Sequence, residues 1–372
     1  YFLFLSRFMS TNVVSPDLLK TKPHFEILDG LRGVAALAVV IFHFMEWVFP
    51  DITTNFIGHG FLAVDFFFCL SGFVIGYAYD NRIEKMGVME FFKSRLIRLH
   101  PLIVLGSVLG LVSFLFDPFA TGTLLYDGGR LALLFVASAL LLPLPIMEDR
   151  FYNVFGLNAP AWSLFWEYVA NIVYALVLFR IRRVPLVLLT IVAAIGLVLL
   201  SYSAGNLLGG WSKDNWWHGG VRVAYSFSAG LLLHRSGWII KNNLGFLELT
   251  VLLTLAFVMP FFSWNWLAEA LVVIFYFPLI VALGAGAVLS PNLKSVCKFS
   301  GDISYPLYMT HYAAIWMFGN YYTTYNPSTS QLILVVITGT LVLIAIAYLA
   351  MRYYDIPVRK YLKEKRKQGM KQ

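Results

Sequence analysis

The fold class follows from residues 29–47, which read DGLRGVAALAVVIFHFMEW. Between residues 30 and 45, every position except Arg32 and His43 is apolar or glycine. An apolar run of about 17–25 residues is long enough to cross the hydrocarbon core of a bilayer as a helix. We therefore predict a transmembrane helix here, and the two ionisable residues within the apolar run, Arg32 and His43, are the first candidates for a functional site.

The composition extends this prediction to the whole chain. Of its 372 residues 59% are apolar and only 13% are charged, against about 25% charged in ordinary globular proteins. So few charges cannot cover a water-soluble protein of this size, and the mean hydropathy of +0.73 agrees. The sequence indicates a polytopic membrane protein and excludes a soluble one.

Eleven apolar segments are candidate spans, and one of them is weak. The segment 130–147 is short, begins with Arg130 and contains Pro143 and Pro145. If it is re-entrant or lies at the outer surface, ten spans remain and both termini are cytoplasmic. We predict an all-α fold with about ten transmembrane helices: a cytoplasmic segment 1–24, an integral membrane domain 25–357 and a basic cytoplasmic tail 358–372. The candidate spans are 31–49, 60–79, 101–116, 130–147, 162–179, 184–203, 219–234, 246–263, 267–289, 303–319 and 331–353.

The distribution of Lys and Arg supports this topology. The chain has 28 such residues and a net charge of +8. We expect four of them outside, namely Arg130, Arg150, Lys213 and Arg222, and the rest in cytoplasmic segments, as the positive-inside rule requires. The excess charge therefore reports topology and contact with anionic lipid, not binding of nucleic acid. Two cysteines provide no disulfide framework, and we expect no metal site.

Arg32 and His43 lie on the same face of the first span. Their spacing of eleven residues is close to three helical turns and places them about 16 Å apart along the axis. Either the pair is functional, or Arg32 extends to the membrane surface and His43 makes a hydrogen bond inside the bundle. A single His in a span does not decide between these alternatives.

Two further motifs contain ionisable residues that are candidates for a site. Asp65 lies among phenylalanines in VDFFFCLSGF, and a carboxylate there needs a partner or a proton. In FFKSRLIRLHP, Arg95 and Arg98 are three apart and share a helical turn, which suits phosphate, although the motif alone favours ordinary positive-inside charge. Lys93 lies beside them.

APAWSLFWEYVANIVY and GDISYPLYMTH complete the set of polar motifs. Glu167 in the first could reach the membrane depth of His43 and form an acid–base pair with it; a buried structural pair is the competing hypothesis. His311 in the second motif is a further catalytic candidate or a structural residue.

In their residues and in their order along the chain, these motifs resemble those of the integral membrane acyltransferases of the acyltransferase 3 family, the O-acyltransferases of bacterial surface glycans. The family signature of Arg, ten residues and His matches Arg32 and His43. The resemblance runs from about residue 25 to 357. The hydrolase-like domain that follows the membrane part in some members is not present in this sequence, so we expect the acceptor to meet the membrane domain directly.

The resemblance implies an acyl-CoA donor in the cytoplasm and a glycan hydroxyl as acceptor, such as that of a lipopolysaccharide sugar, in the bacterial cytoplasmic membrane. Acetyl is favoured as the acyl group, and no tightly bound cofactor is expected. His43 would be a general base or be transiently acylated, with Glu167 or Asp65 orienting it. The remaining candidates are, on the donor phosphates, Arg32, Arg95, Arg98 and Lys93, and, on the acceptor or oxyanion side, Trp162, Ser163, Tyr305 and His311.

A proton-coupled transporter or flippase for a lipid-linked saccharide is the alternative function. Buried His, Asp and Glu in a ten-span bundle would suit such a pathway. No internal repeat is visible in the sequence, which weighs against a transporter, and stabilisation by acetyl-CoA would separate the two hypotheses.

Overall fold

A computed structural model describes residues 25–120 and 126–369, and over these residues the fold is all-α. The strand-like pairing in this part is one isolated bridge between Asn153 and Ser212. The predicted segment 1–24 and the last three residues of the predicted tail lie outside the described residues.

The helices follow the apolar segments of the sequence. The first eight are α1 (Glu26–Val48), α2 (Ala63–Tyr79), α3 (Ile83–Met86), α4 (Val88–Phe116), α5 (Gly128–Ala139), α6 (Ala161–Leu176), α7 (Arg183–Ala204) and α8 (Trp216–Ser236). The others are α9 (Phe246–Phe257), α10 (Asn265–Leu271), α11 (Phe277–Gly286), α12 (Lys294–Thr310), α13 (Tyr312–Tyr325), α14 (Thr329–Leu349) and α15 (Ile356–Gly369). One turn of π-helix joins α10 to α11 and another joins α14 to α15.

Six of the described helical segments are long and apolar enough to cross a membrane, which makes the chain an integral membrane protein. The total of about ten spans and the cytoplasmic termini stay predictions. Of the weak candidate 130–147, only α5 is helical, with 12 residues. At 1.5 Å per residue it measures about 18 Å, less than the hydrocarbon core of about 30 Å. The six are Glu26–Val48, Gly60–Tyr79, Val88–Phe116, Arg183–Ala204, Asn265–Gly286 and Thr329–Gln368.

Small residues bring the central helices together. A Cβ atom placed on Gly33 of α1 would lie 2.0 Å from the hydroxyl oxygen of Ser300 in α12. A Cβ on Gly72 of α2 would lie 2.0 Å from the carbonyl oxygen of Phe227 in α8. Only glycine fits at such approaches, where membrane helices pack through small residues. These contacts hold α1, which carries His43, against α12, which ends at His311.

Two local features differ from the sequence expectation. Helix α4 begins at Val88, so Arg95 and Arg98 lie on a long helix and not in an 80–100 loop. The predicted span 303–319 is two helices that meet at His311. The side chain of Arg222 is fully buried in α8, where it pairs with Asp65. Hydropathy does not reveal this pairing, and the expectation that Arg222 lies toward the outer side stays a prediction.

Candidate active site

His43 pairs with an acidic residue of its own helix. Its Nδ1 atom lies 2.5 Å from Oε2 of Glu46, less than one turn further along α1. The two side chains are 21% and 38% exposed. Because a carboxylate accepts, the neutral ring of His43 carries its proton on Nδ1 and its lone pair on Nε2. The predicted orienting residues were Glu167 and Asp65, and the structure brings Glu46 to this position instead.

His311 stacks against His43. The ring centroids are 5.4 Å apart with an angle of 24° between the planes. The His311 Nδ1–H donates to the carbonyl oxygens of Leu307, at 3.1 Å, and Tyr308, at 2.9 Å. Its Nε2 atom is buried and has no hydrogen-bond partner in the described part of the chain. The pattern fixes the tautomer, so Nε2 is an acceptor without a donor.

Aromatic rings continue from the histidines toward a buried arginine. Tyr312 meets the His43 ring edge-on at 5.1 Å, and Trp316 lies one turn further along α13. The guanidinium carbon of Arg150 lies 3.9 Å from the centre of the Trp316 ring. Burial lowers the pKa of Arg150 to about 10, which leaves it a cation at neutral pH. Next to Arg150, Phe151 has a φ of 54°, a left-handed conformation that is strained for an aromatic residue.

Glu167 binds an arginine and not His43. Its Oε1 atom accepts from Nη2 of Arg95 at 2.8 Å and from the hydroxyl of Ser71 at 3.1 Å. The side chains of Arg95 and Glu167 are 8% and 19% exposed. The predicted pairing of Glu167 with His43 is therefore wrong, because the carboxylate is directed toward α4. Nε of Arg95 remains buried without a partner.

Asp65 is also occupied elsewhere. Its two carboxylate oxygens accept from Nη2 and Nε of Arg222, at 2.6 and 3.1 Å, and both side chains are fully buried. Arg222 also donates to the carbonyl oxygens of Gly209 and Phe61. The ring of Trp162 lies 5.3 Å from the guanidinium carbon. The expectation that Asp65 orients His43 is wrong, and Trp162 belongs to this second cluster.

Hydroxyl groups lie between Glu167 and the histidines. Ser163 and Tyr308 share a hydrogen bond of 2.8 Å, and the Tyr308 ring lies 6.0 Å from that of His311. Tyr305, one turn earlier in α12, donates to the carbonyl oxygen of Leu99 at 2.6 Å. Ser163 is thus connected to His311 through Tyr308, while Tyr305 fastens α12 to α4.

The cations predicted on the donor side differ in the groups that they contact. Arg32 donates to Ser304 and to the carbonyl oxygen of Gly301, both at 2.8 Å, and so ties α1 to α12. Lys93 is half exposed and pairs with Glu90 at 2.8 Å. Arg98 is exposed and lies within electrostatic range of Arg95 and Arg32. Arg95 pairs with Glu167, while Arg98 has no ion pair among the described residues, and the phosphate fork of the two arginines stays a prediction.

No group of three or more His, Cys, Asp and Glu side chains suited to a metal ion occurs in the two described ranges. Both cysteines are buried and unpaired. Near His43, the buried polar atoms without a partner among the described residues are Nε2 of His311 and Nε1 of Trp316. An unpaired imidazole nitrogen suits acid–base and nucleophilic chemistry.

The acyltransferase domain family matches residues 25–352, nearly the whole described chain. The chain therefore belongs to the acyltransferase 3 family, as its motifs predict. It is an enzyme family of acyl transfer, and the transmembrane helices agree with an integral membrane member.

Three curated relatives are similar to parts of the chain. "Protein 2 in picA locus" of Rhizobium radiobacter is 39% identical over 160 residues, which are 41% of this chain and 81% of that protein. "Acyltransferase MdmB" of Streptomyces mycarofaciens is 34% identical over 170 residues, 42% of this chain and 40% of that protein. "O-acetyltransferase OatA" of Staphylococcus aureus is 35% identical over 80 residues, 21% of this chain and 12% of that protein. No solved structure matches the chain.

Glu46 is the main site residue that sequence reasoning missed. The run HFME places a carboxylate three residues after His43, a spacing at which helical side chains meet. That local signal was available. The pairing of Asp65 with Arg222, residues 157 apart in the sequence, had no local signal and required the tertiary fold.

Proposed function

We propose that this protein transfers an acyl group, acetyl in the first instance, from cytoplasmic acyl-CoA to a hydroxyl of a cell-surface glycan such as a lipopolysaccharide sugar. The bacterial cytoplasmic membrane is the proposed location. The observation that carries the proposal is the His43–Glu46 hydrogen bond beside His311. Family membership and the similarity to an O-acetyltransferase support it.

His43 acts as the general base in this mechanism. With its Nδ1–H held by Glu46, Nε2 takes the proton of the acceptor hydroxyl while that oxygen bonds to the thioester carbonyl carbon. The tetrahedral intermediate collapses, the carbon–sulfur bond breaks, and the leaving thiolate takes the proton from the His43 imidazolium. Glu46 stabilises the imidazolium between these steps, as the carboxylate does in catalytic triads.

A covalent version uses the same geometry. Nε2 of His43 would attack the thioester carbon, expel the thiolate and hold the acetyl group. When the acceptor oxygen then displaces the acetyl group, the hydroxyl proton passes to Nε2 and from there to the thiolate. Radiolabelled acetyl-CoA supplied without acceptor leaves label on the protein in this version only. The label would be lost in a His43→Ala variant.

His311 lies on the proposed acceptor side. Its unpaired Nε2 atom can accept a hydrogen bond from a sugar hydroxyl and so hold the acceptor beside His43. The aromatic path through Tyr312 to Trp316 offers apolar ring faces to the sugar, and Arg150 keeps the Trp316 ring in place. Ser163 adds a hydroxyl near His311 through Tyr308.

The test is acetyl transfer by purified protein in detergent. We expect His43→Ala to lower kcat by about 10³-fold, within the range for a lost general base. His218→Ala is the matched control, because His218 is a partly buried histidine of α8 outside this cluster. If both variants keep near-normal turnover, the role of His43 is refuted. Absence of transfer and of thermal stabilisation by acetyl-CoA in the wild type would favour the transporter alternative.

A further inference from the structure

Helix α15 lies on the first turns of α4, next to the arginines of the donor side. Arg366 pairs with Glu90 at 2.6 Å and donates to the hydroxyl of Ser94 at 2.7 Å. The two helices run antiparallel, since Arg98 and not Glu90 lies within electrostatic range of Arg359 and Lys363. The start of α15 is thereby placed beside Arg98.

A surplus of positive charge collects at this junction. The cluster, called here the inner cationic cluster, has five members: Arg32, Arg95, Arg98, Arg359 and Lys363. Three of them pair with carboxylates, at 3.2 Å to Asp29, 2.8 Å to Glu167 and 2.6 Å to Asp355. Within the residues that the structure describes, Arg98 and Lys363 form no ion pair.

Two atoms of the cluster are buried donors without partners. Nε of Arg95, a residue 6% exposed, and Nε of Arg359 have no acceptor among the described residues. Buried N–H donors without an acceptor and an excess of cations cost free energy, which a phosphate anion would relieve. The cluster therefore suits a ligand with more than one phosphate group.

We propose that Arg359 and Lys363 of α15 complete the binding site for the phosphates of a nucleotide-linked acyl donor. This inference rests on the proposed function and adds to it two residues from the tail of the chain. Arg98, Arg359 and Lys363 contact the phosphates, and Arg95 is reached from the inner side of the same cluster. An extended pantetheine arm then spans the distance of about 16 Å along α1 from Arg32 to His43.

An anionic lipid headgroup has the same phosphate chemistry. The donor is the better fit because the cluster continues into the bundle. Arg95 is 6% exposed and is joined through Glu167 to Ser71 of α2, so this part of the cluster lies between helices and not on the lipid-facing surface. The experiment below separates the two sources.

The test compares two double variants of the full chain in detergent. Arg359→Gln with Lys363→Gln removes the proposed contacts, while Lys360→Gln with Lys365→Gln removes two exposed charges from the same helix. We expect the first to weaken acetyl-CoA binding, measured by titration calorimetry, by about 10- to 100-fold and the second by less than about threefold. With acetyl-CoA that lacks the 3′-phosphate, the difference between the two should shrink.

Each outcome has a distinct meaning. If the wild type does not bind acetyl-CoA, the proposed function fails. If the wild type binds it and the two double variants bind it equally well, only the role of α15 is overturned. If the first variant loses stabilisation by phosphatidylglycerol micelles but keeps its affinity for acetyl-CoA, the cluster is a lipid site and the proposal is wrong. Lys363→Gln alone breaks no ion pair and keeps the test available if the double variant does not fold.

Discussion

Two polar clusters lie within one apolar bundle, and they differ in how completely their hydrogen bonds are satisfied. In the first, the bidentate pair of Asp65 and Arg222 is fully buried, and the remaining N–H groups of Arg222 reach backbone carbonyls. In the second, the rings of His43 and His311 stack. His43 is partly exposed, and the buried Nε2 atom of His311 has no partner among the described residues. The first, called here the satisfied cluster, has no hydrogen-bonding capacity left for a substrate. The second, built around His43 and His311 and called here the open cluster, keeps such capacity.

A neighbouring group repeats the satisfied pattern. His59 and Glu269 are both fully buried. Nδ1 of His59 meets the carbonyl oxygen of Met259 at 3.0 Å, and Nε2 meets the amide oxygen of Asn265 at 3.1 Å. Glu269 accepts from Asn265 and from the backbone N–H of Leu207. Both ring nitrogens of His59 thus have a hydrogen-bond partner, and the Glu269 carboxylate lies 3.5 Å from Nε2.

The contrast between the two clusters separates structural from functional ionisable residues inside membrane spans. Such residues are candidates for function by default because burial is costly. Here most of them are paired, and pairing fixes which helices pack together. The functional candidates are those that keep an unused donor or acceptor and some access to their surroundings.

Removing one partner of the satisfied cluster should cause the largest change. Asp65→Ala leaves the Arg222 cation buried and unpaired, and we expect it to lower the free energy of unfolding by about 3–5 kcal/mol. The thermal transition of the detergent-solubilised protein, followed by intrinsic fluorescence, measures this loss. His43→Ala, in the open cluster, should shift the same transition little while abolishing most turnover.

A compensated pair is the control for that contrast. Asp65→Leu combined with Arg222→Met removes both charges and should recover much of the lost stability, since apolar replacements of buried ion pairs are often neutral. If Asp65→Ala keeps wild-type stability but loses turnover, Asp65 is catalytic and the comparison between the two clusters is wrong.

Glu46 tests the open cluster at the next level of effect. Glu46→Ala removes a charge-assisted hydrogen bond to His43, and such bonds are worth about 1.5–3 kcal/mol. We expect kcat to fall by about 10- to 100-fold with little change in the KM for acetyl-CoA. Steady-state kinetics with saturating acceptor measure the split. Glu46→Gln keeps an acceptor oxygen and should recover part of the rate; an unchanged kcat in both variants would remove Glu46 from the mechanism.

The sequence predicted the helical class and the six spans that the described residues contain, because these depend on local hydropathy, and it predicted the family because that depends on motif order. The role of His43 stays a prediction. Sequence reasoning failed for Glu167 and Asp65 because their partners, Arg95 and Arg222, lie 72 and 157 residues away in the chain. Membrane depth alone made Glu167 a plausible partner for His43. Depth does not specify which face of α6 is turned toward α4, and that rotation decides the pairing.

The break at His311 was also beyond local reasoning. Pro306 removes one backbone N–H from α12, yet the helix continues to Thr310 and stops only at His311. There the side chain itself occupies the carbonyl oxygens of Leu307 and Tyr308. Tertiary contact with α1 turns this local interruption into one wall of the site.

His311 should have a smaller effect than Glu46 because it is proposed to hold the acceptor and not to move the proton. His311→Ala removes one neutral hydrogen bond, worth about 0.5–1.5 kcal/mol. We expect kcat/KM for the acceptor to fall up to about tenfold, with acetyl-CoA affinity unchanged in calorimetry. A loss as large as that of His43→Ala would make His311 a second base and the two histidines equivalent.

Trp316 should give the smallest change and tests how far the open cluster extends. Its ring carries the Arg150 cation at 3.9 Å and leads through Tyr312 to His43. Trp316→Leu removes that ring face, a contact of about 0.5–1 kcal/mol. We expect the acceptor KM to rise about three- to fivefold while kcat and donor affinity stay constant in initial-rate kinetics. Trp217→Leu, at an exposed tryptophan of α8, is the control. If the two variants behave alike, Trp316 does not belong to the open cluster, which then extends only as far as Tyr312.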